Sequence, residues 1–323
     1  MDKLIPIIIT GEYANRGLEI SGDVLRKFSK TIKSLASFEK LNWTRSGKSS
    51  PYPGTFYDYG RTGTLQDSSN REFYVDVGVG KLGGQSGVNV FTRSDDNRQQ
   101  LTFFGDTIKN ADLVKISGAI ERLVYSYDGQ SPGNFFMIDN AKIRTTDFYE
   151  AIRNQPDNYF SNLIFGGNNT LIGSKYSDTL DGGQGTDSIT GVPLVDTFRG
   201  RGTVDVLTGG SNNDTFILGT RSGTFYSDEN TTKAGRSDYA RITDFTKGDK
   251  IQLKGKSSSY QIKSENLTID KKQYSVFGLY LNDGSNKSEW DSKDELIGFI
   301  QTTNRLALTN SSLAANQGFF TYV

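Results

Sequence analysis

The sequence contains no cysteine and no histidine. Without cysteine there is no disulfide framework and no thiolate chemistry. Without histidine, neither a Ser-His-Asp nor a Cys-His nucleophile pair can be assembled. The usual zinc sites lose their ligands in the same way. Any metal must therefore be held by oxygen, which selects a hard cation. An excess of charge of one sign is also missing: Lys and Arg total 37, Asp and Glu total 37. The basic excess that marks a nucleic-acid-binding surface is absent. Long apolar runs are lacking too. The stretch LIPIIIT (Leu4–Thr10) is too short to cross a membrane as a helix. It has no basic region before it and no small-residue cleavage site after it, so it reads as a strand and not as a signal peptide. That leaves the cytoplasm, or export by a route that ignores the N-terminus.

Glycine, by contrast, is abundant, with 36 residues against 34% hydrophobic residues, which favours short strands and many turns. The glycines keep time. Units of nine residues begin at Ile164, Gly173, Gly182, Gly191, Gly200 and Gly209. Their sixth positions are Asn169, Asp178, Asp187, Asp196, Asp205 and Asp214, and their eighth positions are Leu171, Leu180, Ile189, Phe198, Leu207 and Phe216. Glycine reaches the positive-φ conformations of a tight turn without a Cβ clash. Such turns aim carbonyls inward, and the aspartate adds a carboxylate. The apolar eighth residue sits on a short strand and points into a coil. With two units per coil turn, one edge is expected to carry Asp178, Asp196 and Asp214, and the other Asn169, Asp187 and Asp205. Carbonyls and carboxylates between stacked turns suit Ca²⁺, which takes six to eight oxygen ligands. The alternative is a metal-free coil whose aspartates cap turns by accepting from nearby amides.

The pattern, complete in GGQGTD (Gly182–Asp187), resembles the RTX family of haemolysin-type calcium-binding repeats, with consensus GGxGxDxUx. The resemblance implies a right-handed parallel β-roll over residues 164–217, with Leu180, Ile189, Phe198, Leu207 and Phe216 inside. It also implies calcium at Asp178, Gly182, Gly183, Gly185, Asp187, Asp196, Asp205, Gly209, Gly210 and Asp214. The turn GGSNND (Gly209–Asp214) lacks one glycine. GVPLVD (Gly191–Asp196) is the poorest, because Val192, Pro193 and Leu194 form tight turns badly. The tail, to Val323, resembles that of type I-secreted bacterial RTX proteins. It includes strand-like segments at Ser237–Gly255, YSVFGLYL and DELIGFIQ, and it ends in GFFTYV. That resemblance implies an uncleaved C-terminal secretion signal, although Phe319, Phe320 and Tyr322 also read as a last core strand.

The fold expected from these features is mainly β. Residues 1–155 form a mostly antiparallel α+β domain, 156–222 a roll and 223–323 a β-rich cap. In the first domain, Phe73, Val75, Val77 and Val79 alternate as a half-buried strand does. GVNVFTR, QQLTFFGD, AIERLVYSYDG and NFFMIDNAKI read as further strands. A helix is expected with Leu25, Phe28, Ile32 and Leu35 on one stripe, and another in TDFYEAIR. NQPDNYFSN (Asn154–Asn162) reads as a linker. The aromatic loop SPYPGTFYDYG (Ser50–Gly60) offers Tyr52, Phe56, Tyr57 and Tyr59 for stacking on sugars or anchoring a partner. The favoured alternative is a long loop pinned to its own domain by those rings.

These features point to a secreted, calcium-stabilised, non-enzymatic protein of the cell surface or matrix. It would act by binding or assembly, with a surface polysaccharide or its own kind as partner. One alternative is a polysaccharide-acting enzyme that uses carboxylates, or Tyr and Lys, without His. Another is a small-ligand carrier of the haem type, since the strand pattern resembles secreted haem-acquisition proteins. The lack of histidine counts against haem.

Overall fold

The computed structural model describes residues 7–10, 19–27, 43–44, 56–66, 72–82, 85–94, 97–104, 119–126, 135–153, 155–156, 158–194, 199–228, 235–282, 293–304, 306 and 318–323. Two compact units divide the chain. One comprises Met1–Asn15 and Gly22–Gly166, the other Arg16–Ser21 and Gly167–Val323.

The first unit is an antiparallel sheet. It contains β1 (Ile7–Thr10), β3 (Trp43–Thr44), β4 (Phe56–Gln66), β5 (Glu72–Leu82), β6 (Gln85–Ser94), β7 (Asn97–Phe104), β8 (Ala119–Ser126) and β9 (Phe135–Arg144). β3 to β9 pair in chain order, and β1 closes against β9 with Ile9 opposite Ile138. The alternating segment at Phe73–Val79 lies in β5, as its period of two requires. Residues 22–27 are helical, with Val24 and Leu25 buried. Phe28, Ile32 and Leu35 lie outside the described residues. TDFYEAIR falls in the helix Thr145–Arg153.

Two expectations are corrected here. Ser50–Gly60 is not wholly a loop, because Phe56 opens β4 and Tyr57 pairs with Gly80. The aromatic run favours a pleated strand more than the upstream Pro and Gly favour a turn. Tyr52 lies outside the described residues. The expected linker Asn154–Asn162 runs into a helix, Tyr159–Phe165, that also takes in Ile164. Its driving force is burial: Phe160, Ile164 and Phe165 are all buried, and Phe160 meets Phe148 edge-on at 5.1 Å. The roll therefore starts after this helix.

The second unit is built from short parallel strands in two sheets. One sheet runs β10 (Asn169–Ile172), β12 (Ser188–Thr190), β14 (Thr215–Ile217), β18 (Lys250–Leu253), β22 (Phe320–Tyr322). The other runs β2 (Glu19–Ile20), β11 (Thr179–Asp181), β13 (Val204–Thr208), β17 (Tyr239–Ile242), β21 (Glu295–Ile300). Register aligns the inward side chains into two ladders. The first is Leu171, Ile189, Phe216, Ile251 and Phe320. The second is Ile20, Leu180, Leu207, Ile242 and Ile300. All ten are buried, nine of them completely. Each fully buried side chain of this kind contributes about 1.5–3 kcal/mol.

β17, β18, β21 and β22 thus continue the roll's own sheets, and Glu19–Ile20 supplies a further rung from far upstream. Two hairpins are set into the coil. One is β15 (Gly219–Thr220) with β16 (Gly223–Thr224); the other is β19 (Tyr260–Ile269) with β20 (Lys272–Leu281), which extends the second sheet beyond β21.

The expected stacking by eighteen residues holds only once. Leu171 pairs with Ile189, but Leu180 pairs with Leu207 and Ile189 with Phe216, so no rung lies between them. Asp178 therefore neighbours Asp205, not Asp196, and Asp187 neighbours Asn169 and Asp214, not Asp205. The reason lies in GVPLVD. Val192, Pro193 and Leu194 stand where a tight turn would carry glycine, and the next described strand after Ser188–Thr190 is Val204–Thr208, in the other sheet. Asp196 and Phe198 lie outside the described residues.

Candidate metal centre

The turns that precede the strands of each sheet stack into an edge, and each edge carries a ladder of acidic side chains. On the first edge, the main-chain N–H of Asn169 donates to Asp187 Oδ1 at 2.7 Å. Asp187 N–H donates to Asp214 Oδ1 at 2.8 Å, and Asp214 N–H to Asp249 Oδ1 at 2.9 Å. Main-chain bonds run beside these: Thr215 N–H to Asp187 O and Lys250 N–H to Asp214 O. One carboxylate oxygen of each aspartate is thus committed to holding the preceding turn.

The second oxygen folds back into the aspartate's own turn. A Cβ at Gly182 would collide with Asp187 Oδ2, and one at Gly209 with Asp214 Oδ2. Position one of the unit is glycine because the carboxylate occupies the space a side chain would take. Gly183 and Gly185 have φ of 90° and 119°. That left-handed region favours glycine and reverses the chain tightly. The two glycine-pair turns stack directly on each other, with Gln184 bridged to Ser211 and Ser211 N–H donating to Gly183 O at 2.9 Å.

The decisive detail is what Oδ2 meets. Asp187 Oδ2 and Asn169 Oδ1 are both buried and have no hydrogen-bond partner. Asn169 spends its amide nitrogen on Gly167 O at 2.8 Å, which leaves the oxygen over. Buried polar atoms without partners are rare and destabilising. Burial raises the Asp187 carboxyl to about 8, against the Asn169 N–H that lowers it, and the neighbouring charge of Asp214 adds to the rise. Burial likewise raises Asp214 to about 6, with Asp249 and Asp244 adding to it. Oxygens stranded this way are what a hard cation relieves.

The residues Gly167–Asn169, Gly182–Asp187 and Gly209–Asp214 match the repeat of one known family: residues 164–192 and 194–220 fit the RTX calcium-binding nonapeptide repeat, in four copies. This stretch is an array of RTX repeats. No curated protein matches the chain. RTX repeats bind calcium, and the first edge fits that ion. Among the described residues no three acidic side chains converge as a metal cluster. The RTX turns therefore offer the ion one carboxylate oxygen per turn and main-chain carbonyls besides, a donor set Ca²⁺ accepts. Asp187, Asn169, Asp214 and the carbonyls of the glycine turns would hold it. Calcium, when bound, supplies the positive charge that lets buried Asp187 and Asp214 stay ionised.

The other edge differs. Asp178 N–H donates to Asp205 Oδ1 at 2.7 Å, which repeats the ladder motif. Asp178, however, accepts from the Ser174 hydroxyl on both oxygens, at 3.0 and 2.9 Å, and Asp205 Oδ2 accepts from the Tyr226 hydroxyl at 2.6 Å. Of the sequence-predicted residues, the fold brings Gly182, Gly183, Gly185, Asp187, Gly209, Gly210 and Asp214 together on one edge and places Asp178 and Asp205 on the other.

Sequence reasoning missed Asp244 and Asp249. Asp244 accepts from the N–H groups of Gly209 and Gly210 at 2.9 and 2.8 Å, and Asp249 anchors Asp214. The signal was present in Asp249-Lys250-Ile251, which repeats the acid at position six and the apolar residue at position eight.

Proposed function

We propose that the protein is a secreted, calcium-stabilised, non-enzymatic protein of the cell surface or extracellular matrix, acting by binding or assembly. The observation that carries this reading is the pair of buried, unpartnered oxygens Asp187 Oδ2 and Asn169 Oδ1, set in a turn stack of RTX type. Export is supported by the same feature. A site with a dissociation constant of about 10⁻⁴ M adds roughly RT ln 11, about 1.4 kcal/mol, in about 10⁻³ M external calcium and almost nothing at cytosolic levels. The coil would then be looser inside the cell and tighter outside. Among the described residues, no helix is long and apolar enough to cross a membrane.

A non-enzymatic role is supported by the residue inventory. Gly129–Gly133 has the GxSxG spacing of a nucleophile elbow, but the chain has no histidine to activate its serine. The first unit, with its long antiparallel strands, is the part assigned to binding or assembly. The deciding experiment is a thermal melt of the full chain with calcium and with chelator. A higher melting temperature in calcium supports the reading, and identical curves overturn it.

A further inference from the structure

The two edges of the coil carry the same acidic ladder but finish it differently, and the difference lies in Tyr226. This residue is completely buried and holds a left-handed backbone, with φ of 57°. A bulky non-glycine residue adopts that conformation only where its surroundings over-determine it. Here they do. Its N–H donates to Arg199 O at 2.7 Å, and its hydroxyl donates to Asp205 Oδ2 at 2.6 Å. Its ring lies against Gly200, leaving no room there for a Cβ, and its hydroxyl lies against Gly191. Asp205 itself is fully buried. The oxygen that is stranded in Asp187 is satisfied in Asp205. At the neighbouring turn, the Ser174 hydroxyl does the same for Asp178.

We infer that the edge carrying Asp178 and Asp205 takes no calcium, because protein hydroxyl groups occupy the carboxylate oxygens an ion would use; calcium is confined to the edge of Asn169, Asp187 and Asp214. The inference rests on the calcium reading of the first edge but divides the roll in two. Tyr226 arrives from the segment after the hairpin β15–β16 and fills the space beside Gly191 and Gly200. A neutral hydroxyl cannot cancel the carboxylate's charge, but it supplies the donor that a buried oxygen requires. This edge is therefore built at any calcium concentration.

The test counts calcium ions and melts the protein in parallel. Bound calcium is measured by equilibrium dialysis, and melting temperature in calcium and in chelator, for the full chain and for Asp187→Asn, Asp205→Asn and Tyr226→Phe. Asp187→Asn is expected to lose bound calcium. Asp205→Asn keeps Oδ1 as acceptor for the Asp178 N–H and can donate its amide to the Tyr226 hydroxyl oxygen, and is expected to bind as many ions as the parent. Tyr226→Phe is expected to lower the melting temperature by several degrees, on the order of 3–10 °C, equally in calcium and in chelator, because a buried hydrogen bond is lost. Loss of calcium from Asp205→Asn, or a Tyr226→Phe defect that calcium repairs, overturns the inference. A parent protein that binds no calcium at all overturns the reading of the first edge and leaves the second edge as stated. If Tyr226→Phe fails to fold, the calcium count of Asp205→Asn alone decides.

Discussion

The main-chain N–H of Asp187 donates to Oδ1 of Asp214 across 27 residues of chain, while the second carboxylate oxygen of Asp187 is buried with no partner. One side chain thus anchors Asn169 through Oδ1 and is left with a stranded Oδ2. Asp187→Ala is expected to lower the melting temperature in calcium by more than it does in chelator. The excess is one site's contribution, about 1.4 kcal/mol at millimolar calcium. Asp196→Ala, in the glycine-poor unit GVPLVD, is expected to change the calcium response little. Paired melts of the two variants measure both.

The calcium-free roll should respond to pH in an unusual direction. Asp187 and Asp214 are raised by burial to about 8 and about 6, from ordinary values near 3.9 in the unfolded chain. For a raised carboxyl, the folded state holds the proton more tightly. Its stabilising effect is complete below about pH 4 and is lost as pH rises through the folded value. In chelator the melting temperature is therefore expected to fall between about pH 4 and pH 8. Calcium favours the ionised carboxylates, so the fall should flatten or reverse when the ion is present. Melts over that range, with and without chelator, check it.

Phe216 stands at the middle of its ladder, between Ile189 and Ile251, with no exposure. Phe216→Ala should cost about 3–5 kcal/mol by loss of burial and a residual cavity. The loss is expected to be of the same size with and without calcium, as measured by denaturant titration.

Ile20 pairs with Leu180 and is fully buried. Ile20→Ala is expected to cost about 2–5 kcal/mol, and the loss should appear in hydrogen exchange of the β11 amides. Unchanged protection of Thr179–Asp181 would show that this rung is dispensable.

The inward ladder was legible in the sequence wherever glycine timing and an apolar eighth position coincided, as at Leu180, Ile189, Leu207 and Phe216. The stacking partners were not. A period of nine fixes which face a residue takes, but neighbours are decided by which turns can nest. With Val192, Pro193 and Leu194 in place of turn glycines in the unit between them, Asp205 stands beside Asp178 and not beside Asp187. The rung at Glu19–Ile20 is too short to show any periodicity. Asp249 was readable from the Asp-Lys-Ile spacing, but its distance from the repeats hid it. Tyr226 was invisible, because its role depends on a hydroxyl meeting a carboxylate that only the folded coil brings near.

The rung at Glu19–Ile20 has a consequence for chain continuity. Residues 22–166 are an insertion within the second unit, whose two pieces flank them in sequence. A single proteolytic cut inside the insertion would sever the peptide chain but not the coil, since Ile20 would still be gripped by Leu180. A fragment starting at Gly167, by contrast, would expose the open side of β11 and could be completed by a separate peptide containing Arg16–Ser21. The repeat body is thus a two-piece assembly that happens to be encoded on one strand of polypeptide.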